Sequence, residues 1–167
     1  IKVSGQKGSS KTLTKQVIKA SANAPSAYKE RSPVHKVDKN TGTLNWYWPS
    51  KGKVIAKFSS KSPINKGIDI SGRMGESVMA ATTGSVVYAG SGLLGYGNLV
   101  IIKHNEHFLS AYAHNKKLLV KEGQKVKAGQ VIAEIGSSGT DKVKLHFEIR
   151  RKGKPVNPLT FLPKVNK

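Results

Sequence analysis

The residues Val143-Lys144-Leu145-His146-Phe147-Glu148-Ile149-Arg150 alternate apolar and polar side chains without a break. A period of two is the signature of a β-strand that buries one face. Val143, Leu145, Phe147 and Ile149 are therefore expected in a core, with Lys144, His146, Glu148 and Arg150 on the opposite face. A face that carries His beside Lys is either a solvated sheet surface or the floor of a site. The decision rests on what the rest of the chain places over it.

Most of the chain reads as further short strands. Segments 52–58, 67–70, 76–81, 84–89, 99–103, 108–114, 125–128 and 131–135 are apolar or alternating runs separated by Gly-, Asn- and Ser-rich turns. Turn signals at this spacing predict an all-β sandwich or barrel-like sheet, and no long amphipathic helix competes with it. A hairpin is expected around Thr82, Thr83 and Gly84, and another at the turn 104–107. Residues 157–163 suggest a short terminal turn or helix, and Trp46 and Trp48 a large apolar anchor at the start of the domain.

Residues 1–45 differ in composition. They hold nine Lys/Arg against two Asp/Glu and only scattered apolar residues. Such a segment buries too little to offset its ordering entropy, so a basic linker is expected, with a short helix over 12–22 as the alternative. The expected division is thus 1–45 linker, 46–163 domain and 164–167 tail. The formal charge of +20 favours anionic partners such as nucleic acid, acidic polysaccharide, anionic lipid or an acidic protein. With few aromatics and none interleaved with Lys/Arg, a nucleic-acid stacking platform is not expected. No cysteine is present, which excludes disulfides, thiolate zinc sites and a cysteine nucleophile. No run reaches the roughly 18 apolar residues of a membrane span. The chain starts at Ile1 rather than Met, as a processed or truncated chain would.

Among the five histidines, His35 falls in the linker, and His104 and His107 in a predicted turn, where they are solvated, capping or a metal pair. On strict alternation His114 shares a face with Ser110 and Tyr112. His146 lies on the polar face of 143–150. Asp69 sits between Ile68 and Ile70, and a carboxylate in an apolar run needs a partner. Two histidines and an aspartate on three strands would form a metal or acid–base constellation if they converged. Other templates fail: no His-Glu-x-x-His, no phosphate loop, no nucleophile elbow, and Gly95-x-Gly97 precedes a strand rather than a helix. Segment 120–135 suggests a carrier-domain hairpin, but no Lys occupies the expected tip.

Several motifs in order, Asn65-Lys66-Gly67-Ile68-Asp69, the run 78–90, Gly95-Tyr96-Gly97-Asn98, Tyr112-Ala113-His114, Val126-Lys127-Ala128-Gly129-Gln130 and Leu145-His146-Phe147-Glu148, span residues 48–162. Together they resemble the lysostaphin/LytM-type zinc peptidases of cell-wall hydrolysis, and within them the degenerate, NlpD-like amidase activators, with EnvC-like proteins more distant. The resemblance implies the all-β, antiparallel sheet of the LytM/lysostaphin type, called the duplicated hybrid motif. It implies that Asp69 and His146 occupy zinc-ligand positions and His114 a catalytic one. It also implies that Asn65 stands where the first ligand should be His, and Lys144 where the second catalytic His should be.

A neutral amide is a poor zinc ligand, and an ammonium has no lone pair and repels Zn²⁺. The expected protein is therefore not an enzyme and holds no cofactor. What the resemblance implies instead is a relict groove of Asn65, Asp69, Tyr112, His114, Lys144 and His146 that activates an N-acetylmuramoyl-L-alanine amidase for septal peptidoglycan splitting. Tyr112 joins that set from alternation alone. Peptidoglycan or another anionic envelope polymer would be a further partner. The implied location is the periplasm or envelope, with outer-membrane attachment through an N-terminal anchor outside this chain. The alternatives are an active zinc endopeptidase and a polyanion or nucleic-acid binder.

Overall fold

The computed structural model describes residues 44–165. They form ten antiparallel strands and a single 3-10 turn: β1 (Val54–Ala56), β2 (Ile68–Ser71), β3 (Ser77–Met79), β4 (Gly84–Gly90), β5 (Asn98–Lys103), β6 (Phe108–Leu118), β7 (Lys125–Val126), β8 (Val131–Ile135), β9 (Lys144–Arg151), β10 (Lys154–Val156), and Pro158–Thr160. The main path of the sheet runs β1-β2-β9-β6-β5-β4-β7; β10 pairs with β9, and β8 with both β3 and β6. The all-β antiparallel expectation is met. The expected linker lies outside the described residues except for its last two, and Leu44 already packs against the core. The helix alternative over 12–22 lies outside them entirely.

The alternation read in 143–150 is realised in β9. Leu145, Phe147 and Ile149 are fully buried, and Phe147 packs on the Tyr112 ring at 5.3 Å. Val143 departs: it precedes the strand and is partly exposed. β9 is central because it pairs with β2 along Ile68↔Phe147 to Ser71↔Lys144, and with β6 along Phe108↔Arg151 to Ala113↔His146. Each of these strands contributes apolar residues to the same buried face, so β9 is the seam of the core.

Two expectations fail here. The hairpin around Thr82–Gly84 does not form: β3 pairs with β8, while β4 pairs with β5 and β7. The turn signal was real, but cross-sheet burial of Val78 and Ala133 selects a partner distant in sequence. β10 was not anticipated, because Lys154-Pro155-Val156 carries a proline and only one apolar aliphatic residue; it pairs with the end of β9. The hairpin at 104–107 joins β5 and β6 as expected. Asn157 caps the 3-10 turn by accepting from the Leu159 N–H.

His104 is neither solvated nor a metal partner of His107. It is buried edge-on to Trp46, with ring centroids 5.1 Å apart. Its Nδ1 lies 2.9 Å from the Thr83 carbonyl, so Nδ1 carries the proton and Nε2 accepts from the Ser110 hydroxyl at 2.7 Å. The Ser110 and Tyr112 hydroxyls are 2.8 Å apart, and the Tyr112 oxygen accepts from the Ala81 N–H. Every proton in this buried chain has a place only while His104 is neutral.

That requirement gives a pH dependence. Burial pushes the His104 pKa down to about 4, although its bond to Thr83 pulls the other way. The unfolded chain titrates near 6.5. Between those values the unfolded state binds more protons, so this contribution is complete above about 6.5 and is lost as pH falls to about 4, on the order of 3 kcal/mol in all. Ring-proton NMR of the folded protein should show His104 neutral at pH 5, and His104→Gln should flatten urea-measured stability over that window. A His104 ring titrating near 6.5 in the folded state would contradict this.

Candidate functional site

The polar face of β9 and the neighbouring end of β2 carry a continuous series of opposite charges. Asp69 and His146 are register partners across the β2–β9 pair. Asp69 Oδ1 lies 2.7 Å from His146 Nδ1, and Asp69 Oδ2 lies 2.9 Å from Lys144 Nζ. His146 Nε2 is 3.0 Å from Glu148 Oε1, and Arg150 Nε donates to Glu148 Oε2 at 2.8 Å. Tyr96, from the loop between β4 and β5, donates its hydroxyl to Glu148 Oε1 and accepts from Arg150 Nη2.

Burial opposes charge on His146, but the bonds to Asp69 and Glu148 outweigh it and push its pKa up to about 9. Burial would raise the Asp69 and Glu148 carboxyls; the bond from His146 in each case, then Lys144 and Arg150 respectively, bring both below the ordinary range. The face therefore reads Lys144⁺, Asp69⁻, His146⁺, Glu148⁻, Arg150⁺ at neutral pH.

His114 reaches this face by a backbone inversion that alternation could not reveal. Its φ is 67°, a left-handed conformation rare for a residue with a Cβ. Here β6 changes partner, from β9 up to Ala113↔His146 to β8 from Asn115↔Ile135 onward. The inversion brings the His114 ring to 6.0 Å from His146. The His114 N–H donates to the Tyr96 carbonyl, and Nδ1–H to the Ser138 carbonyl at 2.7 Å. Ser138 approaches because Gly97, at φ 62°, presents no side chain; a Cβ there would collide with the Ser138 carbonyl. Burial lowers the His114 pKa, and the charges of His146 and Lys144 add to burial against the pull of Ser138. His114 is thus a neutral imidazole whose Nε2 has no partner among the described residues and can accept.

Tyr112 does not belong to the site. It is fully buried and faces the core with Phe147, because the switch at His114 puts the two residues on opposite sides of the sheet. Asn65 does line the groove, but its amide is spent on its own loop: Nδ2 donates to the Lys57 carbonyl and Oδ1 accepts from the Gly67 N–H. Asp69, Lys144 and His146 come together as expected, with His114 beside them. Glu148, Arg150 and Tyr96 were not singled out, although the alternation already placed the first two on this face.

The donor set does not fit a catalytic zinc ion. Such a site needs three protein ligands and an open position. Asp69 is held on one oxygen by an ammonium, Lys144 offers no lone pair, and the Asn65 amide is committed elsewhere. A Zn²⁺ ion at the carboxylate would have to displace Lys144 and lie beside its charge. What remains is an open groove of ≈ 550 Å³ floored by Asp69, Lys144 and His146 and walled by Lys57, Pro63 and Ile64.

Since His146 is raised above its unfolded value of about 6.5, its contribution to stability is complete below that pH and is lost as pH rises through about 9. Lys144→Met should destabilise the domain by on the order of 2 kcal/mol by leaving Asp69 underpaired, and NMR should show the His146 ring still protonated at pH 7.5. A His146 titrating at 6.5 in the folded protein would refute the charge series.

The Peptidase family M23 profile matches residues 63–158, more than half of the chain. Over 119 residues the chain is 66% identical to a Pseudomonas aeruginosa protein named lipoprotein NlpD/LppB homolog, covering 71% of this chain and 40% of that protein. Over 124 residues it is 58% identical to an Escherichia coli protein named murein hydrolase activator NlpD, covering 74% of this chain and 33% of that one. The chain thus spans less than half the length of either relative. Its fold is similar to that of lysostaphin from Staphylococcus simulans, with a TM-score of 0.64 at 26% identity over 71% of this chain and 52% of that one. On the profile match and these relatives, the chain belongs to peptidase family M23.

Proposed function

We propose that this domain does not hydrolyse peptidoglycan but activates a murein hydrolase, an N-acetylmuramoyl-L-alanine amidase, at the division septum. The observation that carries this is the Lys144 ammonium 2.9 Å from Asp69, in a groove that stays open. A cation fixed on the surviving carboxylate removes hydrolysis while leaving a concave, charged surface. The relatives named murein hydrolase activator and lipoprotein support the same reading and an envelope location. Activation requires only that the groove bind the amidase's active conformation more tightly than its inhibited one. The formal charge of +20 supports an additional hold on peptidoglycan or another anionic envelope polymer.

Release of dye from labelled peptidoglycan by a cognate amidase should rise when this protein is added, and the protein alone should release none. Metal analysis of the purified protein should find no stoichiometric zinc, whereas the double variant Asn65→His, Lys144→His should acquire it. Chelator-sensitive release by the unaltered protein alone would overturn the reading.

A further inference from the structure

The groove wall opposite Lys144 is a small closed loop. Ser59 and Asn65 exchange both backbone hydrogen bonds, the Ser59 hydroxyl donates to the Lys61 carbonyl, and Asn65 ties the loop to Lys57 and Gly67. That bracing holds Ile64 out to solvent at 68% exposure, with Pro63 beside it. An exposed branched aliphatic on a fixed loop, at the lip of a groove, is a pre-ordered apolar contact whose ordering cost is already met.

The charges lining the groove are net positive, Lys57, Lys144 and His146 against Asp69. Lys57 is exposed and pairs with no carboxylate among the described residues. Both Asp69 oxygens are taken, and the Glu148 carboxylate is buried between His146 and Arg150. An entering ligand therefore meets the Lys57 and Lys144 ammonium groups but no available carboxylate.

We propose that the groove takes an extended acidic segment of a protein partner, with an apolar side chain packed on Pro63 and Ile64 and a neighbouring carboxylate against Lys57 and Lys144. Asn65 acts here as a positioning residue, in place of the ligand its position would hold in a zinc site. The identity of the partner as an amidase rests on the activator reading; the chemistry of the segment does not. Its carboxylate would meet a ready field, and because the groove is open to solvent the pairing is salt-sensitive.

The test uses the full chain and two end-capped synthetic octapeptides, one alternating Leu with Glu and the other Leu with Lys. In NMR titrations the Leu-Glu peptide should shift Ile64 methyl, Lys57 and Lys144 signals, and the Leu-Lys peptide should not. Affinity should fall as salt is raised from about 0.05 to about 0.3 M. Ile64→Asp should weaken binding by about tenfold or more without unfolding the domain, since Ile64 is exposed. Lys57→Glu should reduce the preference for the acidic peptide. Equal binding of both peptides, shifts confined to other surfaces, or no binding at millimolar peptide would overturn the proposal. Amidase dye release is scored separately. Activation without acidic preference defeats this proposal and leaves the activator reading standing; acidic preference without activation does the reverse.

Discussion

Everything at the site depends on the need to neutralise five ionised side chains on and beside one strand. Lys144, His146, Glu148 and Arg150 project from the same face of β9, and Asp69 joins them from β2. Most of their surface is removed from water, so none can be left uncompensated. They interleave by sign, and each carboxylate receives two cationic donors. Buried ion pairs roughly break even against their desolvation. The gain is therefore in fixed geometry more than in stability: the arrangement pins the floor of the groove.

The turn in β6 is what sets His114 beside that floor. Had β6 continued its alternation, His114 would have entered the core beside Tyr112. The left-handed conformation costs on the order of 1 kcal/mol, and the surroundings hold it through the Tyr96 and Ser138 carbonyls. Gly97 permits the close passage of the two loops that makes this possible. The same frame holds Lys144 against Asp69, so that the ammonium neutralises the carboxylate internally.

Much of the fold was legible because apolar period-two runs must bury one face, and β9 shows this residue by residue. The losses have specific causes. The β3–β4 hairpin was inferred from a local turn, but the pairing of β3 with β8 is decided by non-local burial. Tyr112 was assigned to the groove by an alternation that holds only up to Ala113. His104 looked like a turn residue, yet packing against Trp46 made it the acceptor in a buried proton chain.

Residue identity alone carries the strand pattern, the polar face of β9 and the presence of an amide at 65 and an ammonium at 144, because it sets periodicity and donor chemistry. It takes the assembled sheet to bring Lys144 onto Asp69, to turn Asn65 onto its own loop, and to part His114 from Tyr112. Those outcomes depend on where distant strands meet and on one backbone inversion, and neither is encoded in the spacing of residues along the chain.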